Sequence, residues 1–271
     1  MVMTPAERAS AVAFSYKNCE LSAITPSEAM VAAANGYQRG TINLSNFVET
    51  PERTIRHNDR NESQLRDDRI FARSVRLIDY GWRANGGLGE LKTIHRGLFV
   101  GAMNNAGQLR SDSANDIGNN AKIATERPDA TEGSRTHENR QRLNPYFPAS
   151  LIETGTANIF SQLDEQDRFS GFDRAGFIRA LAGLYDELNA LHPFRYGNGM
   201  VLRIFISELT HMVGWDLNWG TVTLENYRNA ASLALFKHDI SGLERMFASI
   251  IRLANPTRIF LISGWDQGPA H

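Results

Sequence analysis

Apolar residues recur at helical spacing through most of this 271-residue chain. The clearest stripe is Phe177, Leu181, Leu184, Leu188 and Leu191, which predicts a helix opening at Asp173, a residue whose carboxylate suits an N-cap. Leu202, Phe205, Ile206 and Leu209 mark another over about 199–213, and similar patterns cover 149–166, 224–237 and 241–254, the last closed by Pro256. Near the N-terminus, Thr4 with Glu7 and Thr25 with Glu28 have capping-box spacing, predicting helices over 5–16 and 26–37. Residues 48–68 are polar and mixed in charge, and read as a connection into a helix carrying Leu65, Ile70, Phe71, Val75, Leu77 and Ile78. Asn85-Gly86-Gly87 supplies the turn that ends it, and a further helical pattern runs from Leu88 through Leu91, Ile94 and Leu98. The stretch 106–150 is the least regular, with a short hairpin expected in 106–120. Strand signals elsewhere are few. The expected fold class is mainly α, built by helix-on-helix packing around one core.

Charge and cysteine content narrow the function classes. Lys and Arg total 29 against 30 Asp and Glu, a net charge of -1. That balance argues against coating nucleic acid or an anionic membrane by bulk charge. The single cysteine, Cys19, excludes an internal disulfide and a multi-cysteine zinc cage. No apolar run is long enough to span a bilayer, and MVMTPAERASAVAF lacks the basic-then-apolar order of a signal peptide.

The chemistry concentrates in Leu191-His192-Pro193-Phe194-Arg195-Tyr196-Gly197-Asn198-Gly199-Met200-Val201-Leu202-Arg203. A Leu-rich helix stops at Pro193, because the residue before proline is pushed out of the α region. A Gly-Asn-Gly turn then feeds a second helix, exposing free N–H groups at the positive end of a helix dipole. Gly197, Asn198 and Gly199 are therefore the candidate phosphate cradle, with Arg203 near enough along the helix to add a charge-assisted contact. His192 sits at the mouth of the same turn and is the candidate general base. Base and anion site together suggest transfer of a phosphoryl-type group to a hydroxyl. His95, His211 and His238 lie within or beside helices and read as packed or solvated residues. Thr223 with Asn226 reads as an ordinary helix start.

This string resembles the signature of the Fic (Fido) family: His-Pro-Phe, any residue, an acid, Gly-Asn-Gly, Arg, and a second Arg three residues later. Thr93–Phe99 followed by Ala106-Gly107-Gln108-Leu109-Arg110 resembles the helix and flap before the family's site, and the likeness extends over about 65–254. The resemblance implies a compact Fic-type helical bundle with a short β-hairpin flap. The expected organisation is a helical extension over 1–60 without a family likeness, the Fic-like domain over 61–255 and a tail over 256–271. The resemblance also implies transfer of AMP, or a related phosphate-containing group, from a nucleotide donor to a Ser, Thr or Tyr hydroxyl of a target protein. His192 would take the proton, Gly197, Asn198, Gly199 and Arg203 would hold phosphate, and Phe194 would anchor the loop in the core. Gly107, Gln108, Leu109 and Arg110 would pair with a target segment by β-augmentation. ATP with Mg2+ is the family's usual donor, yet Tyr196 stands here for the metal-holding acid and Met200 for the first Arg. No metal ligand is assigned. The alternative is a Fic scaffold without catalysis that acts as an interaction module, effector- or toxin-like. A regulatory partner or a second copy of the chain is a further expected partner; nucleic acid and a membrane span are not. The expected location is the cytoplasm, or a host cell reached without a cleaved signal.

Overall fold

The computed structural model describes residues 3–54, 62–82, 86–111 and 145–254. They form α1 (Pro5–Glu20), α2 (Glu28–Gln38), α3 (Leu44–Thr54), α4 (Glu62–Tyr80), α5 (Gly87–Phe99), α6 (Ile152–Glu165), α7 (Arg174–Leu191), α8 (Asn198–Met212), α9 (Leu224–Lys237) and α10 (Ser241–Ile250). One buried apolar cluster takes residues from all ten, among them Val12, Met30, Phe47, Phe71, Ile94, Phe160, Leu188, Ile204, Ala234 and Phe247. The expected mainly α class is what the structure has. Helices α5 and α7 flank α8, so the loop between α7 and α8 lies against the C-terminal half of α5.

Several starts follow the capping logic directly. Thr4 and Glu7 close a reciprocal box, and the Asp173 carboxylate accepts from the Gly176 N–H at 2.7 Å. The second helix differs. Its N-cap is Ser27, not Thr25, because Asp68 on α4 takes both the Ser27 N–H and its hydroxyl at 2.7 Å. That tertiary pair overrides the local box. The polar stretch from 48 also hides α3. Phe47 is fully buried between Tyr37 and Phe71, and Arg69 grips Glu52 at 2.6 and 2.9 Å, which holds the helix despite Pro51 inside it.

Two expectations about the C-terminal part and the flap are corrected. The last helix ends at Ile250 rather than 254, because Ile251–Leu253 pairs antiparallel with Trp215–Leu217. Three-residue strands carry too little alternation to be read from sequence. This pair is the two-stranded sheet of the described residues, and Gly107–Arg110 is not in a strand. The rest of the expected hairpin, from 112, lies outside the described residues, as does the tail over 256–271.

The α5–α8 contact carries a pair of carboxylates. Glu90 is 2% exposed and accepts from the Trp82 indole N–H and the Gly86 N–H, both at 3.0 Å. Glu208 faces it with Oε2 buried and unpartnered. Burial first, then the Glu90 hydrogen bond and charge, pushes the Glu208 carboxyl up to about 8, while Trp82 and Arg168 pull it down. The folded state therefore keeps a proton that the unfolded chain releases near 4.5, and stability falls as pH rises from about 4.5 to about 8. Glu208→Gln removes the charge that must be desolvated. It should raise Tm at pH 9 by about 2–4 °C, the shift about 1 kcal/mol gives in a chain of this size after solvent screening. At pH 4 it should change Tm little. Scanning calorimetry at the two pH values checks this.

Candidate functional site

Helix α7 ends on His192, whose backbone is left-handed at φ 46, ψ 60. A non-glycine residue holds that conformation only where its surroundings over-determine it. Here Arg110 does so. Its Nε donates to the His192 carbonyl at 2.6 Å, and its Nη2 donates to the carbonyls of Leu191 at 3.3 Å and of Phe147. A guanidinium thus caps the free carbonyls at the negative end of the helix. The Arg110 N–H adds a bond to the Pro193 carbonyl at 3.0 Å.

The loop then folds over buried Phe194. Its N–H donates to Asn198 Oδ1 at 2.9 Å, and Asn198 Nδ2 donates back to its carbonyl at 2.8 Å. The Asn198 amide is used in both directions to close the turn, and this bond takes one of the two Nδ2 protons. Gly197 has φ 74, and a β-carbon there would lie 2.3 Å from the Phe99 ring, so the position admits glycine alone. Helix α8 opens directly behind it with no side-chain cap. The N–H groups of Asn198, Gly199 and Met200 meet no acceptor among the described residues.

Arg203 is 1% exposed, and most of its guanidinium faces α1. Nε donates to Asn18 Oδ1 at 2.7 Å, and Nη2 donates to the Asn18 carbonyl at 2.9 Å and the Ser22 hydroxyl at 2.6 Å. The Tyr227 ring lies 4.7 Å from its Cζ. The expected phosphate contact is therefore narrowed to one nitrogen. Nη1 is buried and unpartnered, 3.1 Å from where a Gly199 β-carbon would sit. Met200 is fully buried, and its side chain belongs to the core.

His95 joins the two sides of the site. It is 1% exposed and stacks on Phe194 with ring centroids 4.0 Å apart. Its Nδ1 accepts from the Gly107 N–H at 2.8 Å, which leaves Nε2 to donate to the Tyr196 carbonyl at 3.1 Å. One neutral tautomer satisfies both bonds. A helical histidine among apolar neighbours gave no sign of this at the sequence level. The only cue was its place just ahead of the Gly107 turn. Tyr196 donates its hydroxyl to Asn105 Oδ1 at 2.6 Å, and burial keeps its phenol above the ordinary value.

The residues of the expected flap are held by the same bonds. The N–H of Gly107 goes to His95, that of Gln108 to the Asn105 carbonyl at 3.0 Å and that of Arg110 to Pro193. Arg110 is 5% exposed, and Leu109 packs against the core. The N–H donors of Gly107, Gln108 and Arg110 are thus used inside the fold. His192 itself is partly exposed, with Tyr146 stacked on its ring at 3.8 Å. Burial, then the Arg110 charge, pushes its imidazole down to about 3, with the Asn189 backbone acting the other way. It is neutral at pH 7.

His95 is held down to about 4 by burial, against the Tyr196 backbone bond that raises it. The unfolded chain binds a proton near 6.5 that the folded state refuses, so stability falls as pH drops from about 6.5 to about 4. His95→Ala should cost about 2–4 kcal/mol at pH 7 by lost packing and two lost hydrogen bonds. It should also flatten the acid-side slope. Urea unfolding at pH 7 and pH 5 measures both.

Residues 87–210 match the family model described as the Fic/DOC family. The chain is 29% identical over 165 residues to the "Probable protein adenylyltransferase Fic" of Escherichia coli (strain K12), spanning 61% of this chain and 70% of that protein. It is 36% identical over 80 residues to the "Protein adenylyltransferase VbhT" of Bartonella schoenbuchensis, 30% of this chain and 17% of that one. The crystal structure of BepC from Bartonella tribocorum with bound AMPPNP superposes with a TM-score of 0.57 at 18% identity, over 72% of this chain and 88% of that one. The type IV secretion system effector protein BepA gives 0.53 at 22% identity, over 79% and 63%. The segment 87–210, which holds the glycine turn into α8, is thus similar to the Fic/DOC family in sequence, and the helical order agrees with the fold of the structural neighbours.

Proposed function

We propose that this chain transfers a nucleotidyl group, AMP in the first instance, from a nucleoside triphosphate to a Ser, Thr or Tyr hydroxyl of a target protein. The observation that carries the reading is the buried, unbalanced positive charge at the start of α8. Arg203 has no carboxylate partner among the described residues, its Nη1 is unpartnered, and three free N–H groups open the same helix. A charge buried without a counter-ion is costly, and a bound phosphate supplies one. Relatives named as protein adenylyltransferases and a neighbour holding AMPPNP agree with that ligand.

The residues in hand define the step. The amides of Asn198, Gly199 and Met200 and Arg203 Nη1 receive the donor's phosphates. The acceptor oxygen attacks the α-phosphorus, its proton passes to neutral His192, the new phosphorus–oxygen bond forms and pyrophosphate leaves. Phe194 and Asn198 hold the loop that carries both groups. A divalent cation does not fit the position of Tyr196: a neutral phenol already donating to Asn105 is a poor ligand for a hard ion, and no step is routed through one. Met200, in the core, adds nothing to the donor site. An effector role belongs to the same proposal, since a type IV secretion system effector protein is among the structural neighbours.

Three measurements test this. With α-labelled ATP and a cell lysate, wild type should label a protein, and His192→Ala should lose label by about 100-fold or more. No label with ATP, UTP or CDP-choline overturns the reading and leaves the scaffold alternative. Gly199→Ala places a methyl 2.9 Å from the Tyr227 hydroxyl and 3.1 Å from Arg203 Nη1, and should abolish the thermal shift that ATP gives wild type. Tyr196→Glu restores a hard oxygen ligand and should raise transfer in Mg2+ by about tenfold.

A further inference from the structure

Two tyrosine hydroxyls meet behind the start of α8. Tyr185, on α7, is fully buried, and Tyr227, near the start of α9, is nearly so. Their hydroxyl oxygens lie 2.5 Å apart, and either can donate to the other. The Tyr227 ring also carries the Arg203 guanidinium, with Cζ 4.7 Å from the centroid. A β-carbon on Gly199 would lie 2.9 Å from the Tyr227 oxygen and 3.1 Å from Arg203 Nη1. The two polar atoms thus border one small space at the second residue of α8, beside its free N–H groups.

Counting protons shows what that space lacks. Each phenol carries one proton, and a hydroxyl can accept as well as donate. Burial holds the Tyr185 phenol well above its ordinary range, so it stays protonated at pH 7. The contact between the oxygens uses one proton of the two, and neither hydroxyl has another hydrogen-bond partner among the described residues. The second proton is left buried without an acceptor, which is disfavoured. On Tyr185 it would stay in the apolar core, where the Phe247 ring lies 5.8 Å away. On Tyr227 it comes to the space where Arg203 Nη1, on a side chain 1% exposed, is also buried and unpartnered. Two donors without acceptors converge there, and one anionic oxygen satisfies both.

We propose that the Tyr227 hydroxyl is a further phosphate-binding group of this site: Tyr185 donates to it, and it donates in turn to a phosphate oxygen that Arg203 Nη1 also contacts. This rests on the reading of the α8 start as the donor's phosphate site. It supplies there a donor that Met200, in the core, does not.

Inorganic pyrophosphate, which carries no nucleobase, is the probe, and titration calorimetry at pH 7 reads its affinity for the full chain. Tyr227→Phe keeps the ring over Arg203 and removes the hydroxyl. It should weaken pyrophosphate roughly tenfold or more, the usual loss of a hydrogen bond to a charged group. Tyr185→Phe breaks the same bond between the tyrosines yet leaves the Tyr227 proton, and should stay within about threefold of wild type. A bond that only joined the helices would make the two variants alike. Tyr227→Phe also strands the Tyr185 hydroxyl in the core, so the double variant, which strands nothing, serves as the control. It should bind as weakly as Tyr227→Phe, and it decides should that variant fail to fold. The proposed contact is overturned if Tyr227→Phe binds within about threefold of wild type, if Tyr185→Phe is weakened equally, or if the double variant regains wild-type affinity. Those results leave the phosphate site itself standing. A wild type that binds no pyrophosphate, or binding that survives Gly199→Ala, overturns the phosphate site and the Tyr227 contact together.

Discussion

The site's geometry depends on one imidazole that does no chemistry. His95 accepts from the Gly107 N–H on one side and donates to the Tyr196 carbonyl on the other, and it stacks on the buried Phe194 between them. Both bonds exist together in a single neutral tautomer. Protonating the ring would break the Gly107 bond and bury a charge, which is why burial holds its titration so far down. The segment leading into Arg110 and the loop leading into α8 are thus set by the same ring. Arg110 in turn caps α7 and fixes the strained backbone of His192. A loosened His95 would let the end of α7 at His192 and the start of α8 drift relative to each other.

Around that pivot, the signature's polar side chains mostly serve shape. Asn198 closes the Phe194 turn on itself. Arg110 satisfies carbonyls, and Arg203 ties α8 to Asn18 and Ser22 of α1. What remains for a ligand is main-chain N–H, the second amide proton of Asn198 and a single guanidinium nitrogen. This division follows from burial. Within a packed core a long polar side chain must find partners at once, whereas the first N–H groups of a helix have none by construction. Glycine at 197 and 199 is what keeps those groups approachable, one by allowing Phe99 to close in and the other by leaving room beside Tyr227.

Much of the fold was legible because it is written in short-range terms. The Thr4–Glu7 box, the Asp173 cap and the Leu stripe of α7 are decided within a few residues, and they fell where the pattern placed them. Helix α3, the Ser27 cap and the short sheet were not, because each depends on a residue far along the chain: Phe71 and Arg69, Asp68, and the pairing of Trp215 with Leu253. The same divide runs through the site. The glycine turn into α8 could be picked out from the order of residues in sequence. That Asn198 bonds Phe194 is local yet ambiguous in sequence, since an amide suits either a turn or a ligand. That His95 and Tyr146 converge on the signature loop is a tertiary fact, with His95 and its Tyr196 partner 101 positions apart.

The interior charge of Arg203 links this architecture to function. Asn18 and Ser22 offer it neutral acceptors, and Tyr227 offers a π face, which together solvate a guanidinium without neutralising it. A fold that needed only to join α8 to α1 could do so with an uncharged side chain and avoid the desolvation cost. Retaining a full positive charge beside three free N–H groups makes sense where an anion completes the set. The contact also places α1 behind the cradle, with Asn18 Nδ2 reaching the Met200 carbonyl at 3.4 Å. Helix α1 is therefore part of what positions the proposed donor site, even though the family match begins only at residue 87.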